Sequence, residues 1–115
     1  MSYQIAHILF GHCETEEMIS DTTKQQALEK AEESLDRIKN DNVAFEIVAS
    51  QVSDCPSGAL GGLLGQVEKN EMVPEFEDIV FNLELGEVST IFETEYGYHI
   101  AWRYNSDLLD EAFRN

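Results

Sequence analysis

Basic residues are scarce in this 115-residue sequence: seven Lys and Arg stand against 23 Asp and Glu, giving a formal net charge of −16. Such a field repels phosphate backbones and anionic lipid, so nucleic-acid and membrane-surface roles are disfavoured, while basic partners or a high-salt setting suit it. Long apolar runs are missing too, and nothing approaches the roughly 20 residues that a spanning helix needs. Met1-Ser2-Tyr3-Gln4 carries no positive charge before a short apolar run, so the start does not read as a secretory signal. There are only two cysteines, Cys13 and Cys55. They lie far apart and fit no zinc spacing, which makes two reduced thiols in a reducing, cytoplasmic compartment the expectation. Repeats and low-complexity segments are lacking as well. With 43% hydrophobic residues, the chain suits one compact, monomeric domain over 1–104 with an acidic tail over 105–115.

The periodicity sets out the elements in order. Ile5–Phe10 is apolar except for His7 and predicts a short strand buried on both faces. Cys13–Asp21 reads as a solvated acidic loop. Thr22 and Gln25 have capping-box spacing, predicting a helix to about Asn40 with Ala27, Leu28, Ala31, Leu35 and Ile38 on one stripe. Asn42 is placed to cap a second helix whose Phe45, Val48, Ala49 and Val52 share a face. Leu63-Leu64, flanked by glycines, predicts a short strand, and Pro74 a third helix carrying Phe76, Ile79, Val80 and Leu83. Val88–Phe92 and Tyr98–Tyr104 read as two final strands. Strands and helices in this order predict an α+β domain with a small mixed or antiparallel sheet.

Candidate chemistry centres on Ser53–Phe76, which holds four of the seven glycines and both prolines. A thiolate at Cys55 activated by His7 or His99 is one reading, against a structural role for each buried histidine. A metal held by His7, His12, Cys13, Cys55 and His99 matches no familiar ligand spacing, so no metal is expected. The glycine loop lacks a Gly-Lys-Ser/Thr ending and is followed by Glu68 and Glu71, which argues against phosphate. Leu64, Met72 and Phe76 are either core or the lining of an apolar pocket.

Five motifs in order carry a resemblance over roughly residues 4–104. They are the His-Ile-Leu start at His7, Ser53-Asp54-Cys55-Pro56-Ser57-Gly58, Gly61-Gly62 with Leu64-Gly65, Met72-Val73-Pro74-Glu75-Phe76-Glu77, and Gly86-Glu87-Val88-Ser89; Thr94 and Tyr96-Gly97-Tyr98-His99-Ile100 follow. On these the chain resembles the parvulin-type peptidyl-prolyl cis/trans isomerases. The resemblance implies a half-barrel: a four-stranded antiparallel sheet surrounded by three to four helices. It implies His7 and His99 as paired histidines at the floor of the site, with Thr94 in their network and Cys55 beside the rotating peptide bond. Leu64, Met72 and Phe76 would hold the proline ring.

The implied activity is cofactor-free isomerisation of Xaa-Pro bonds in flexible or unfolded chains, without a covalent intermediate. The alternative is a parvulin-fold chaperone or peptide-binding module with little turnover. Two departures bear on partners. The segment Gly11–Asp21 has four acids and no Lys or Arg, where phospho-specific members carry a basic cluster, so neutral or basic residues before proline are expected. Leu63 replaces the usual acidic residue ahead of Leu64-Gly65, and is expected to widen the apolar surface.

Overall fold

The computed structural model describes residues 2–15 and 22–105. The elements are β1 (Ser2–Phe10), α1 (Lys24–Lys39), α2 (Phe45–Val52), a 3-10 turn (Pro56–Leu60), β2 (Leu63–Glu68), α3 (Pro74–Val80), β3 (Phe92–Thr94) and β4 (Gly97–Arg103). The strands form one antiparallel sheet in the order β2-β1-β4-β3, with the first and last strands paired at its centre. Helices α1 and α2 and the α3 helix complete the expected α+β architecture.

Strand alternation divides β1 and β4 between two cores. Ala6, Ile8 and Phe10 with Ile100 and Trp102 pack against Ala27 and Ala31 of α1 and Phe45, Val48 and Ala49 of α2. Ile5 and Ala101 turn the other way, onto Val67 and onto Phe76 and Val80 of α3. His7, two residues after Ile5, therefore shares the α3 face, and so does His99, two residues before Ala101.

Several local expectations shift. The capping box sits one residue later: Thr23 Oγ1 accepts from Gln26 N at 3.1 Å, and Gln26 Oε1 accepts from Thr23 N at 3.0 Å. Asn42 does not cap α2; it takes a left-handed φ of 56°, which asparagine tolerates, and Ala44 holds the cap position. The expected strand Val88–Phe92 is not one strand. Only Val88 bridges to Trp102, and β3 begins at Phe92. There Ser89 N donates to Ala101 O at 2.7 Å, while its Oγ, in place of a backbone carbonyl, accepts from Ala101 N at 2.9 Å. Pro56–Leu60, read as loop, is a 3-10 turn ended by Gly61 in the left-handed region. Most of the acidic loop and nearly all of the C-terminal tail fall outside the described residues.

Candidate active site

The loop carrying Cys55 is fixed to the end of β1 by polar groups. Asp54 N donates to Leu9 O at 2.8 Å, Asp54 Oδ2 accepts from Gly11 N at 2.9 Å, and Ser53 Oγ accepts from Leu9 N at 3.1 Å. Next to it, His7 N donates to Gly62 O at 2.9 Å. Gly62 has φ of 77°, and a Cβ there would stand 2.3 Å from His7 O, so only glycine permits this approach. On the far wall, Glu77 Oε2 accepts from Met72 N at 3.1 Å and ties the segment before α3 to the helix.

These segments enclose a pocket of about 490 Å3. All seven expected side chains line it: His7, Cys55, Leu64, Met72, Phe76, Thr94 and His99. Leu9, Asp54, Pro56, Glu71, Val73 and Tyr96 join them. Leu9 was legible in principle, since it lies two residues from His7 on the same strand face; nothing local marks Tyr96. Leu63 does not widen the pocket. Alternation turns it toward the α1/α2 core, where it packs, while Leu64 faces the pocket.

His7 and His99 form the floor. In the β1–β4 register His7 faces Ala101 and Leu9 faces His99, which makes the histidines diagonal neighbours on one face. Their Nδ1 atoms are 3.3 Å apart and their rings stack at 21°. Phe76 stands edge-on to both, at 5.7 and 5.6 Å between centroids, and Phe92 stacks on His99 at 5.3 Å. Burial pushes the His7 pKa down to about 4; burial first, and the neighbouring His7 second, push that of His99 down to about 3. Both rings are therefore neutral at neutral pH, so one Nδ1 must donate and the other accept.

The neighbours supply a direction. Ser57 O–H donates to Cys55 Sγ at 3.2 Å, leaving Ser57 Oγ, 3.4 Å from His7 Nε2, to accept. His7 then carries its hydrogen on Nε2 and accepts from His99 Nδ1–H. His99 Nε2 in turn accepts from Thr94 O–H at 2.6 Å, and Thr94 Oγ1 accepts from Tyr96 N at 3.2 Å. One chain of hydrogen bonds thus runs from β3 through both histidines to the cysteine loop. Ser57 is the member that sequence reasoning missed, although it sits two residues from Cys55. Cys13 and Cys55 are free thiols, and no group of three His, Cys, Asp or Glu among the described residues is placed to hold a metal.

An apolar cup closed at the floor by neutral, mutually bonded rings can bind and desolvate a small apolar ring. It offers no histidine placed to take a proton from Cys55, because Ser57 intervenes.

Comparison with known proteins adds an independent line. The family model described as "Rotamase: PPIC-type PPIASE domain" matches residues 7–103. The chain is 36% identical over 86 residues to "Peptidyl-prolyl cis-trans isomerase Pin1" of Arabidopsis thaliana, covering 75% of this chain and 72% of that one. It is 40% identical over 79 residues to "Chaperone SurA" of Alcanivorax borkumensis, covering 68% of this chain but only 18% of the relative. Among solved structures, "Peptidyl-prolyl isomerase ESS1 from Candida albicans" superposes with a TM-score of 0.84 at 32% identity, over 90% of this chain and 63% of that one. The chain thus spans less than two thirds of the length of several proteins that it resembles.

Proposed function

The chain belongs to the PPIC-type peptidyl-prolyl cis-trans isomerase family, the parvulins, and on that premise we propose that it accelerates rotation about Xaa-Pro bonds in flexible or unfolded chains. The observation that carries the proposal is the apolar pocket with two neutral, hydrogen-bonded histidines as its floor.

The reaction breaks no covalent bond, but the amide resonance barrier is about 18–20 kcal/mol. Uncatalysed Xaa-Pro exchange therefore takes tens to hundreds of seconds, as an order of magnitude. In the twisted state resonance is lost and the carbonyl is less polar than in the planar ground state. A site that excludes water and grips the ring between Leu64, Met72 and Phe76 favours that state over the planar one. His7, His99 and Thr94 keep the floor rigid and neutral. Cys55, held by Ser57, acts as a weakly polar neighbour of the rotating carbonyl, not as a nucleophile. Substrates are taken to have neutral or basic residues before proline, since Asp54 and Glu71 stand at the pocket. The free thiols suit a reducing, cytoplasmic setting, and the protein is taken to act as a monomer.

A second reading, a peptide-binding chaperone module with little turnover, is favoured by the likeness to a segment of a protein named a chaperone. Exchange NMR or a protease-coupled assay on Xaa-Pro peptides, with Xaa as Leu, Lys, Glu or phosphoserine, separates the two. Acceleration with Leu and Lys is expected. No acceleration for any peptide overturns the isomerase reading, and best rates with phosphoserine overturn the charge preference. Cys55→Asp is expected to keep substantial activity; complete loss in a folded variant would count against the non-covalent role.

A further inference from the structure

The apolar pocket ends at Thr94, and beyond it lies a second cleft of about 310 Å3, lined by His12, Glu14, Thr15, Lys24, Glu93, Thr94 and Glu95. Three of these are carboxylates, and the sole Lys or Arg among them is Lys24. Its Nζ is 3.2 Å from Glu93 Oε2, and both side chains are more than two-fifths exposed. Hydrogen bonding to Glu93 raises the Lys24 pKa, with the Glu93 charge next in importance. An ion pair so exposed to water is weak and readily exchanged for another.

The second feature is His12, only 3% exposed. Its Nδ1 accepts from Glu14 N at 3.2 Å, so the ring hydrogen resides on Nε2. That Nε2–H has no hydrogen-bond partner among the described residues and stops 4.0 Å short of Glu93 Oε2. A protonated nitrogen is no metal ligand. What suits the cleft is an occupant that presents an acceptor to His12 and a cation to the carboxylates. A peptide offers both, through a backbone carbonyl and a lysine or arginine side chain.

We propose that this cleft is a subsite for a lysine or arginine flanking the substrate proline, with Lys24 as the resident ammonium that the incoming side chain displaces. The proposal rests on the isomerase reading of the adjoining pocket. Thr94 joins the two sites: its hydroxyl bonds His99, while its neighbours Glu93 and Glu95 project the charge that the basic side chain meets.

The test compares kcat/KM for proline peptides with Lys, Leu or Glu before the proline, and with Lys after it, in the wild type, Glu93→Gln/Glu95→Gln and Lys24→Ala. One Lys peptide is expected to exceed the Leu peptide by about fivefold in the wild type, as suits exposed charge pairs. The double variant should remove most of that excess while leaving the Leu rate unchanged, and Lys24→Ala should raise the Lys rate by about twofold. The preference should also shrink at about 0.5 M salt. Equal rates for Lys and Leu in the wild type, or a Lys preference undiminished in the double variant, would overturn the subsite. Failure to turn over even the Leu peptide would overturn the isomerase reading instead. In that case an amide-shift titration still decides: the Lys peptide should move the Glu93 and Glu95 amides further than the Leu peptide does, and equal shifts overturn the subsite.

Discussion

The two faces of the sheet share the same two central strands yet hold different chemistry. Toward α1 and α2, Ala6, Ile8, Phe10, Ile100 and Trp102 make a closed core, with Tyr98 packed against it and no histidine among its strand residues. Toward α3, the alternate positions of the same strands carry Ile5, His7, Leu9, His99 and Ala101, and the layer is left open above the histidines. The covering elements explain the contrast. The α1 helix runs 16 residues and α2 eight, whereas α3 has only seven and leaves part of its face uncovered. One face is built for stability and the other keeps a cavity. A cavity is tolerable there because the two rings below it meet each other's hydrogen-bonding needs and stay uncharged.

Substitutions that set one face against the other test this division. The largest effect is expected on the closed face: Ile100→Ala, at a fully buried site, should lower unfolding free energy by about 4 kcal/mol in urea titrations. Gly62→Ala joins the faces, since its Cβ would strike the His7 carbonyl at 2.3 Å from a left-handed backbone. It should cost about 3 kcal/mol and lower activity as well, because the collision moves His7.

On the open face, acid should act through the histidines. Their folded pKa values, about 4 and 3, lie below the usual 6.5, so below pH 6.5 the unfolded chain binds the more protons. Their contribution is thus constant above about pH 6.5 and is lost as pH falls toward 4 and 3. At pH 5 this amounts to about 2 kcal/mol for each histidine relative to pH 7. Chemical denaturation at both pH values should show that the loss shrinks by about 2 kcal/mol in His99→Asn. The smallest effect returns to the closed face. Thr23→Ala removes the α1 capping box and should cost about 1 kcal/mol with unchanged kcat/KM. A change in kcat/KM would show that the faces are not separable.

Much of the site could be read before any fold was known, because the residues that matter are unusual where they stand. His7 interrupts an otherwise apolar strand, and Cys55, Leu64, Met72 and Phe76 crowd a stretch too rich in turn formers for ordinary core. Less was legible where backbone and side chain exchange roles. Thr22 and Thr23 both offer a hydroxyl three residues before a glutamine, and only the docking of α1 selects Thr23. Val88–Phe92 has the composition of a strand, but after the Val88 bridge Ser89 puts a hydroxyl in place of a backbone carbonyl, and regular pairing resumes only at Phe92. Leu63 and Leu64 are alike as residues, and the sheet alone decides which one faces the pocket.

The sequence by itself determined the elements' order, the acidic surface and the residue types that a proline pocket needs, since these follow from local periodicity, turn chemistry and charge. Only the tertiary structure decided that His7 and His99, 92 residues apart, meet through their Nδ1 atoms, that Ser57 stands between His7 and Cys55, and that His12 Nε2, beside Glu93, finds no hydrogen-bond partner among the described residues. Such facts depend on strand register and on burial. Register is a pairing between distant segments, and burial shifts a proton only once the rest of the chain has excluded water.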